Sequence, residues 1–162
     1  MQPVRAARAP DGFPGFVAGE DPAPDAESDG DVVVLRVGLD TYAVRAASVR
    51  EVIPSPEVTP LPGSGPVFLG VCNVRGDIVP ILDTSALLGL GVGPTPSHAV
   101  IVQGPDGEAG LSTTSVPTFT RLGERVGDAD VPGQVGAYRV ADGIATLLDL
   151  DALVTRGRLD AD

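Results

Sequence analysis

The stretch that decides the fold is GVCNVRGDIVPILD, residues 70–83. Small and apolar residues lead into its middle and mostly apolar residues follow, so both arms are predicted to be buried β-strands. Between them stand Arg75, Gly76 and Asp77, residue types that a protein core excludes. Gly and Asp are what a tight hairpin turn requires, but the turn gives no reason for an arginine. We therefore expect a β-hairpin whose tip presents a guanidinium group to a partner.

The same unit recurs 66 positions further along the chain, where residues 136–153 align with residues 70–87 without gaps. The identical positions are Gly70/Gly136, Val74/Val140, Ile78/Ile144, Leu82/Leu148, Asp83/Asp149, Ala86/Ala152 and Leu87/Leu153. The shared unit is a strand, a turn, a strand, an Asp at a helix-capping position and a short helix. Two related halves packed on a common core follow from this repeat. The second copy is expected to make the same hairpin with Ala141 in place of Arg75.

A second apolar strand offers a partner for this arginine. The segment SVREVI alternates, which places Val49, Glu51 and Ile53 on one face and Arg50 and Val52 on the other. A carboxylate on a neighbouring strand can accept the two parallel hydrogen bonds of a guanidinium, so Glu51 is the expected partner. The pattern leaves two interpretations open: a salt bridge that only orients two elements, or a pair that shapes a contact surface.

Shorter patterns predict the remaining elements. These are a hairpin over residues 32–45, a strand at 98–104, two strands within 135–149, and short helices after Asp83 and from Leu150 to about Val154. Residues 109–122 are poorly patterned, and Pro117 argues against a central strand there. Residues 123–134 are expected to be mostly loop.

Composition restricts both the core and the partners. The chain has 162 residues, of which 43% are hydrophobic and only 4% aromatic, so its core must be built from Val, Leu, Ile and Ala. The net charge of -11 repels nucleic acid and anionic lipid, which makes both poor partners. No stretch is apolar for the roughly 18–20 residues of a membrane span, and no apolar run follows the N-terminal arginines, so a cytoplasmic protein is expected.

The expected organisation is one folded domain between two tails. Residues 1–30 are rich in Pro, Gly, Ala and acidic residues and are predicted to be a disordered tail. The aromatic residues of this tail, Phe13 and Phe16, leave open a short docking element. Residues 31–155 form the domain and residues 156–162 a polar tail. Cys72 lies in an apolar run and is expected to be a buried free thiol.

Catalytic and metal-binding constellations are absent from the sequence. His98 is the single histidine and has no clustered Cys or carboxylate beside it, so neither a metal ligand nor a base is expected. Asp83 and Asp149 stand where helix caps are needed. No phosphate-binding loop is present, and no cofactor is expected. A small hydrolase that uses Asp or Ser is the remote alternative.

The residues now collected resemble the CheW family of chemotaxis coupling proteins. The resemblance runs from about Val32 to Val154 and is carried by LDTYAVRAASVREVI, VTPLPGSGPVFLGVCNVRGDIVPILDTSALLG and GAYRVADGIATLLDLDALV. It implies a mainly β fold of two small SH3-like, five-stranded β-barrels packed around a shared hydrophobic core, with short helices. It also implies an adaptor without enzymatic activity.

The resemblance further implies partners and contact residues. The expected partners are the regulatory domain of a CheA-type histidine kinase, itself of the same fold, and the cytoplasmic tip of a chemoreceptor, with recruitment to receptor arrays at the inner membrane. The partner-binding positions carried over to this chain are Val49, Arg50, Glu51, Val52, Asn73 and Arg75.

The chain departs from the family in two places. Family members usually have a Gly-x-x-Val-Asp-x-Val strand where this chain has AGLSTTSVPTFTRL, residues 109–122, and the acidic position is lost. The leader of about 30 residues is also longer than the family needs. The alternative is therefore a divergent CheW-like binding module of a non-flagellar pathway that has lost one partner.

Overall fold

A computed structural model describes residues 30–161 of the chain, with side chains as far as Thr155. The strands are β1 (Asp31–Val37), β2 (Asp40–Arg45), β3 (Val49–Pro54), β4 (Phe68–Val74), β5 (Asp77–Leu82), β6 (His98–Gly104), β7 (Gly107–Thr113), β8 (Thr118–Arg121), β9 (Arg125–Asp128), β10 (Gln134–Val140) and β11 (Gly143–Leu148). The helices are α1 (Thr84–Leu87), α2 (Leu150–Ala161) and a 3-10 turn (Ala46–Ser48). The tail predicted for residues 1–30 lies outside the described residues except for Gly30.

The strands form two sheets, one of which is inserted in the chain between two parts of the other. The first barrel, as we name it, is the five-stranded sheet in the order β3-β6-β7-β5-β4. The second barrel is the six-stranded sheet in the order β8-β1-β2-β11-β10-β9. Its N-terminal hairpin and its C-terminal hairpin meet through the parallel pair β2-β11. The mainly β fold with two small sheets and short helices is as expected, but only the first barrel, β3 to β7, is a continuous stretch of sequence; it is inserted between β2 and β8 of the second.

The two barrels repeat one arrangement of strands. Hairpin β4-β5 followed by α1 corresponds to hairpin β10-β11 followed by α2 at the offset of 66 residues, and each hairpin pairs in parallel with its neighbouring strand. The sixth strand, β9, has only the isolated bridge at Thr59 as its counterpart in the first barrel. Pro56, Pro60 and Pro62 surround that bridge, and a residue without an N–H cannot extend a ladder. The repeat predicted from sequence is confirmed, whereas the expected five strands per barrel hold only for the first.

Three apolar clusters make up the core. The largest combines side chains from both barrels with α1 and α2, and it includes Leu35, Val49, Val100, Leu111 and Leu153. Smaller clusters fill the second barrel, around Tyr138 and Leu147, and the first, around Cys72 and Ile81. Nearly all of these residues are aliphatic, as the composition predicts. Cys72 is buried and free.

We expect the two barrels to unfold together, because they share the largest cluster and because the chain enters the second barrel twice. Each barrel alone has about 60 residues, too few to bury a core of its own with a comfortable margin. Differential scanning calorimetry should therefore show one transition whose van't Hoff and calorimetric enthalpies agree. Two well-separated transitions would show that each barrel is stable by itself.

Three parts of the chain differ from their predicted structure. Residues 107–113 form β7, a central strand of the first barrel, and Pro117 lies outside it in the connection to β8. The missing N–H of Pro117 therefore interrupts no ladder, and the argument against a central strand was wrong. Residues 125–128, expected as loop, form the edge strand β9. Helix α2 continues past Val154 to Ala161, through most of the predicted polar tail.

Tyr138 has a buried hydroxyl group without a hydrogen-bond partner, the one such side-chain atom in the described part of the chain. A polar group that is desolvated and unpaired costs about 1–3 kcal/mol. We expect Tyr138→Phe to raise the free energy of unfolding by about 1 kcal/mol or more, measured by urea denaturation.

Tyr42→Phe is the matched control for this prediction. The Tyr42 hydroxyl is not among the buried unpaired atoms, although burial, and then the charge of Asp40, raises the pKa of Tyr42 above its ordinary value. This substitution should leave stability nearly unchanged. A loss of stability in Tyr138→Phe would mean that the Tyr138 hydroxyl has a partner in solution.

Candidate functional site

The tip of hairpin β4-β5 is a two-residue turn. Val74 pairs with Asp77, and the loop between them is Arg75 and Gly76, with φ of 55° and 91° respectively. Positive φ at both loop residues is what a type I′ turn requires. The side-chain oxygen of Asn73 accepts a hydrogen bond from the Gly76 N–H at 2.9 Å and so braces the turn. Sequence and turn geometry therefore hold Arg75 at the outermost point of the hairpin.

The second copy of the hairpin makes a different turn. Val140 pairs with Gly143 around the loop Ala141–Asp142, but the positive φ belongs to Gly143, after the loop, and not to either loop residue. The expectation that both copies make the same hairpin was wrong in this respect. The reason is the position of glycine, which follows Arg75 within the first loop but comes after the second loop.

Arg75 reaches the carboxylate of Glu51, as predicted. Its Nε lies 3.3 Å from Glu51 Oε2, and the Arg75 side chain is 81% exposed whereas that of Glu51 is 27% exposed. A pair this open to solvent contributes only about 0–1 kcal/mol to folding. The ion pair therefore orients the guanidinium at the surface, with one face directed to Glu51 and the remaining donors free to meet a partner.

Strand β3, which supplies Glu51, contains a β-bulge at Arg50. Val49 pairs with Val102 while Glu51 pairs with the adjacent Ile101, so Arg50 is the extra residue. The bulge reverses the alternation: Val49 and Val52 both pack on the shared core, and the predicted faces were wrong in placing them on opposite sides. Val49 is buried and Val52 half-buried.

Arg50 itself points to the neighbouring hairpin β6-β7. Its Nη1 donates a hydrogen bond to Gln103 Oε1 at 3.2 Å and lies 3.6 Å from Glu108 Oε2. Gln103 and Glu108 were not among the predicted site residues. Nothing in their local sequence marks them, because only the bulge brings Arg50 to them.

The structure thus brings Asn73, Arg75 and Glu51 together at the tip of hairpin β4-β5. Val49 and Val52 instead pack on the shared core, and Arg50 contacts hairpin β6-β7. Ile78 on β5 adds an exposed apolar group, with 64% of its surface accessible. Its repeat counterpart Ile144 is 53% exposed. The identity of these two positions in the repeat was the available sequence signal, since an isoleucine kept twice at a surface position does not serve the core.

The polar residues that chemistry might use are engaged in local structure. Asp83 is buried and accepts hydrogen bonds from the backbone N–H groups of Ser85, Ala86 and Gly93, and Asp149 accepts one from Ala152, so both cap helices as predicted. Within the described residues no three His, Cys, Asp or Glu side chains are grouped to hold a metal ion. Neither described helix has the length and apolar composition that crossing a membrane requires.

Comparison with known families gives one match over most of the chain. The family model described as CheW-like domain matches residues 31–158. These residues include every strand and almost all of α2.

Individual proteins are similar to the same region. A probable chemotaxis protein CheW of Rhizobium etli is 36% identical over 77 residues, 47% of this chain and 50% of that protein. A chemotaxis protein CheW of Rhizobium meliloti is 38% identical over 73 residues, 44% of this chain and 47% of that protein. The chain thus spans about half the length of these two relatives. The chemotaxis protein CheW of Thermotoga maritima is 24% identical over 137 residues, 80% of this chain and 91% of that protein.

A solved structure shares the fold. The scaffolding protein TtCheW from Thermoanaerobacter tengcongensis superposes with a TM-score of 0.68 at 20% identity, covering 83% of this chain and 93% of that one. The paired barrels described above are therefore an arrangement that a natural scaffolding protein also adopts.

Proposed function

This chain belongs to the CheW-like domain family, and we propose that it is a non-enzymatic signalling adaptor that couples chemoreceptors to a CheA-type histidine kinase. The observation that carries the proposal is the exposed guanidinium of Arg75, held in place by Glu51. An adaptor works by docking, so it needs oriented surface groups rather than a catalytic constellation. Such a protein would act in the cytoplasm and be recruited to receptor arrays.

Arg75 is well suited to a protein interface. Arginine is enriched among the residues that dominate binding energy, and the effect is largest where the surrounding surface loses its water. Ile78, exposed two residues beyond the turn, offers apolar area that would exclude water around the guanidinium. We assign the contact with the kinase regulatory domain to this end of the first barrel, with Asn73 as the residue that fixes the turn.

We assign the receptor contact to the strand β3. Val52 is half-buried and Arg50 exposed, so these two residues offer apolar surface and charge from one strand. Val49 is buried in the shared core and would act by holding the strand in position rather than by touching the receptor.

The test is co-sedimentation of the full chain with receptor-containing membranes, with and without the kinase. The adaptor assignment predicts that the chain sediments with receptors alone and that it increases the amount of kinase in the pellet. Failure to bind either partner would refute it. Binding to one partner only would favour the divergent module, whose mark in the sequence is the altered segment of residues 109–122.

A further inference from the structure

A cavity of about 270 Å³ opens at the mouth of the second barrel. Its apolar lining comes from Val34, Val116, Phe119, Val140 and Ile144, and Arg36 lies at the same opening. Val116 and Ile144 are 66% and 53% exposed. A site of about 150 Å³ accommodates a benzene ring, so this cavity has room for an aromatic side chain.

The corresponding place in the first barrel carries the ion pair of Arg75 and Glu51. Ala141 is the repeat counterpart of Arg75. Thr118 is the counterpart of Glu51. Thr118 on β8 pairs with Val34 on β1, and Glu51 on β3 pairs with Ile101 on β6; β8-β1 and β3-β6 are the equivalent strand pairs of the two sheets. Thr118 and Ala141 both line the cavity. The second barrel therefore has neither charged group of the pair, since Thr118 and Ala141 stand at those two positions, with Asp142 next to Ala141 at the mouth.

The chain itself supplies a segment that fits this mouth. Residues 1–29 precede β1, and their aromatic residues, Phe13 and Phe16, lie close together in GFPGFV, residues 12–17. The segment joins the fold at β1, the strand that contributes Val34 to the cavity. Val34 lies three residues along the strand from Asp31, so the distance from the start of β1 to the cavity is about 10 Å.

The length of the connection suits the distance. Thirteen residues lie between Phe16 and Gly30, and a random-coil chain of that length has a root-mean-square span of about 20 Å. A tether that matches its target distance gives an effective concentration of order mM. Charge does not select the occupant, because Asp142 lines the opening together with Arg36; the apolar lining and the length of the leader carry the assignment.

We propose that residues 12–17 of this chain occupy the mouth of its own second barrel, with a phenylalanine ring in the cavity beside Ile144. The contact is intramolecular and reversible. It covers apolar surface at the mouth of the second barrel, where Val116 and Ile144 are exposed.

Methyl NMR of the full chain tests this contact. The sequence has five isoleucines, at positions 53, 78, 81, 101 and 144, so a sample labelled at the isoleucine δ1 methyl groups gives a spectrum of five signals. A ring stacked on a methyl group shifts its resonance. In Phe13→Ala/Phe16→Ala, the Ile144 signal should move, whereas the signal of its repeat counterpart Ile78 should stay in place.

The controls separate the possible occupants. Val4→Ala removes apolar surface from the leader outside residues 12–17 and should leave Ile144 unmoved. The wild-type spectrum should not change on dilution, because an intramolecular contact is independent of concentration. An Ile144 signal that ignores the double substitution overturns the proposal, as does one that moves on dilution, which would assign the mouth to the leader of a second copy.

Discussion

Replacing Gly70 with alanine is expected to destabilise the protein by about 3 kcal/mol or more. Gly70 has a φ of +147°, which side-chain-bearing residues rarely adopt, and an added Cβ would overlap the carbonyl oxygen of Thr59 and lie 2.7 Å from its carbonyl carbon. These are backbone atoms of the Thr59–Val71 bridge, closed by hydrogen bonds of 2.8 and 2.9 Å. A backbone held from both sides cannot move away, so the strain must be borne or the bridge lost.

Gly63→Ala separates the two contributions to this loss. Gly63 also has a positive φ, +85°, but nothing lies within 4 Å of its added Cβ, so only the backbone preference is lost, at about 1 kcal/mol. Urea unfolding of both variants gives the comparison. Equal destabilisation in the two variants would contradict the close approach of Thr59 to β4.

The second large effect is expected on binding rather than on folding. Arg75→Asn should leave the free energy of unfolding within about 1 kcal/mol of the wild type, because the ion pair is exposed. Binding of the kinase or receptor should weaken about tenfold or more. Asparagine is the suitable replacement because it tolerates the left-handed conformation that Arg75 adopts at φ 55°. Alanine, which occupies the second loop, does so there without a positive φ.

Arg139→Ala provides the matched control for the loss of charge. Arg139 forms an exposed ion pair with Glu124 at 3.2 Å on the second barrel, so it changes the net charge equally without altering the first hairpin. Urea unfolding and partner binding are measured on both variants. If Arg75→Asn lost most of its free energy of unfolding while its folded fraction bound the partners normally, Arg75 would be a structural residue. Its assignment to the interface would then be wrong.

The parts of the fold that local chemistry determines could be predicted from the sequence. The hairpin β4-β5 follows from its turn residues, and the capping aspartates follow from their position before short apolar helices. The pairing of Arg75 with Glu51 was predicted from charge alone, since a carboxylate on a neighbouring apolar strand can accept hydrogen bonds from a guanidinium at a hairpin tip. The role of this pair in binding remains a prediction.

The parts that depend on distant neighbours could not be predicted. Strand β7 reads as a weak strand because it contains Gly110, yet a Cβ at Gly110 would lie 3.1 Å from the Cδ1 atom of Ile101 and even closer to Ile81. Small residues are needed there because bulky side chains from both neighbouring strands meet over it. The bulge at Arg50 is likewise set by the register with β6, which the alternation of β3 alone does not reveal.

The insertion of the first barrel within the sequence of the second imposes an order on the synthesis of the protein. Strand β2 can pair with its parallel neighbour β11 only after Thr146, the partner of Tyr42, has been synthesised, 104 positions after Tyr42. The first barrel, from β3 to β7, is complete in the nascent chain long before then. Closing so long a loop is slow relative to local pairing, and the N-terminal hairpin meanwhile exposes the edge that β11 will cover. A growing chain therefore carries an unpaired edge on β2 until hairpin β10-β11 emerges, and the finished first barrel is the surface against which that edge can be sheltered.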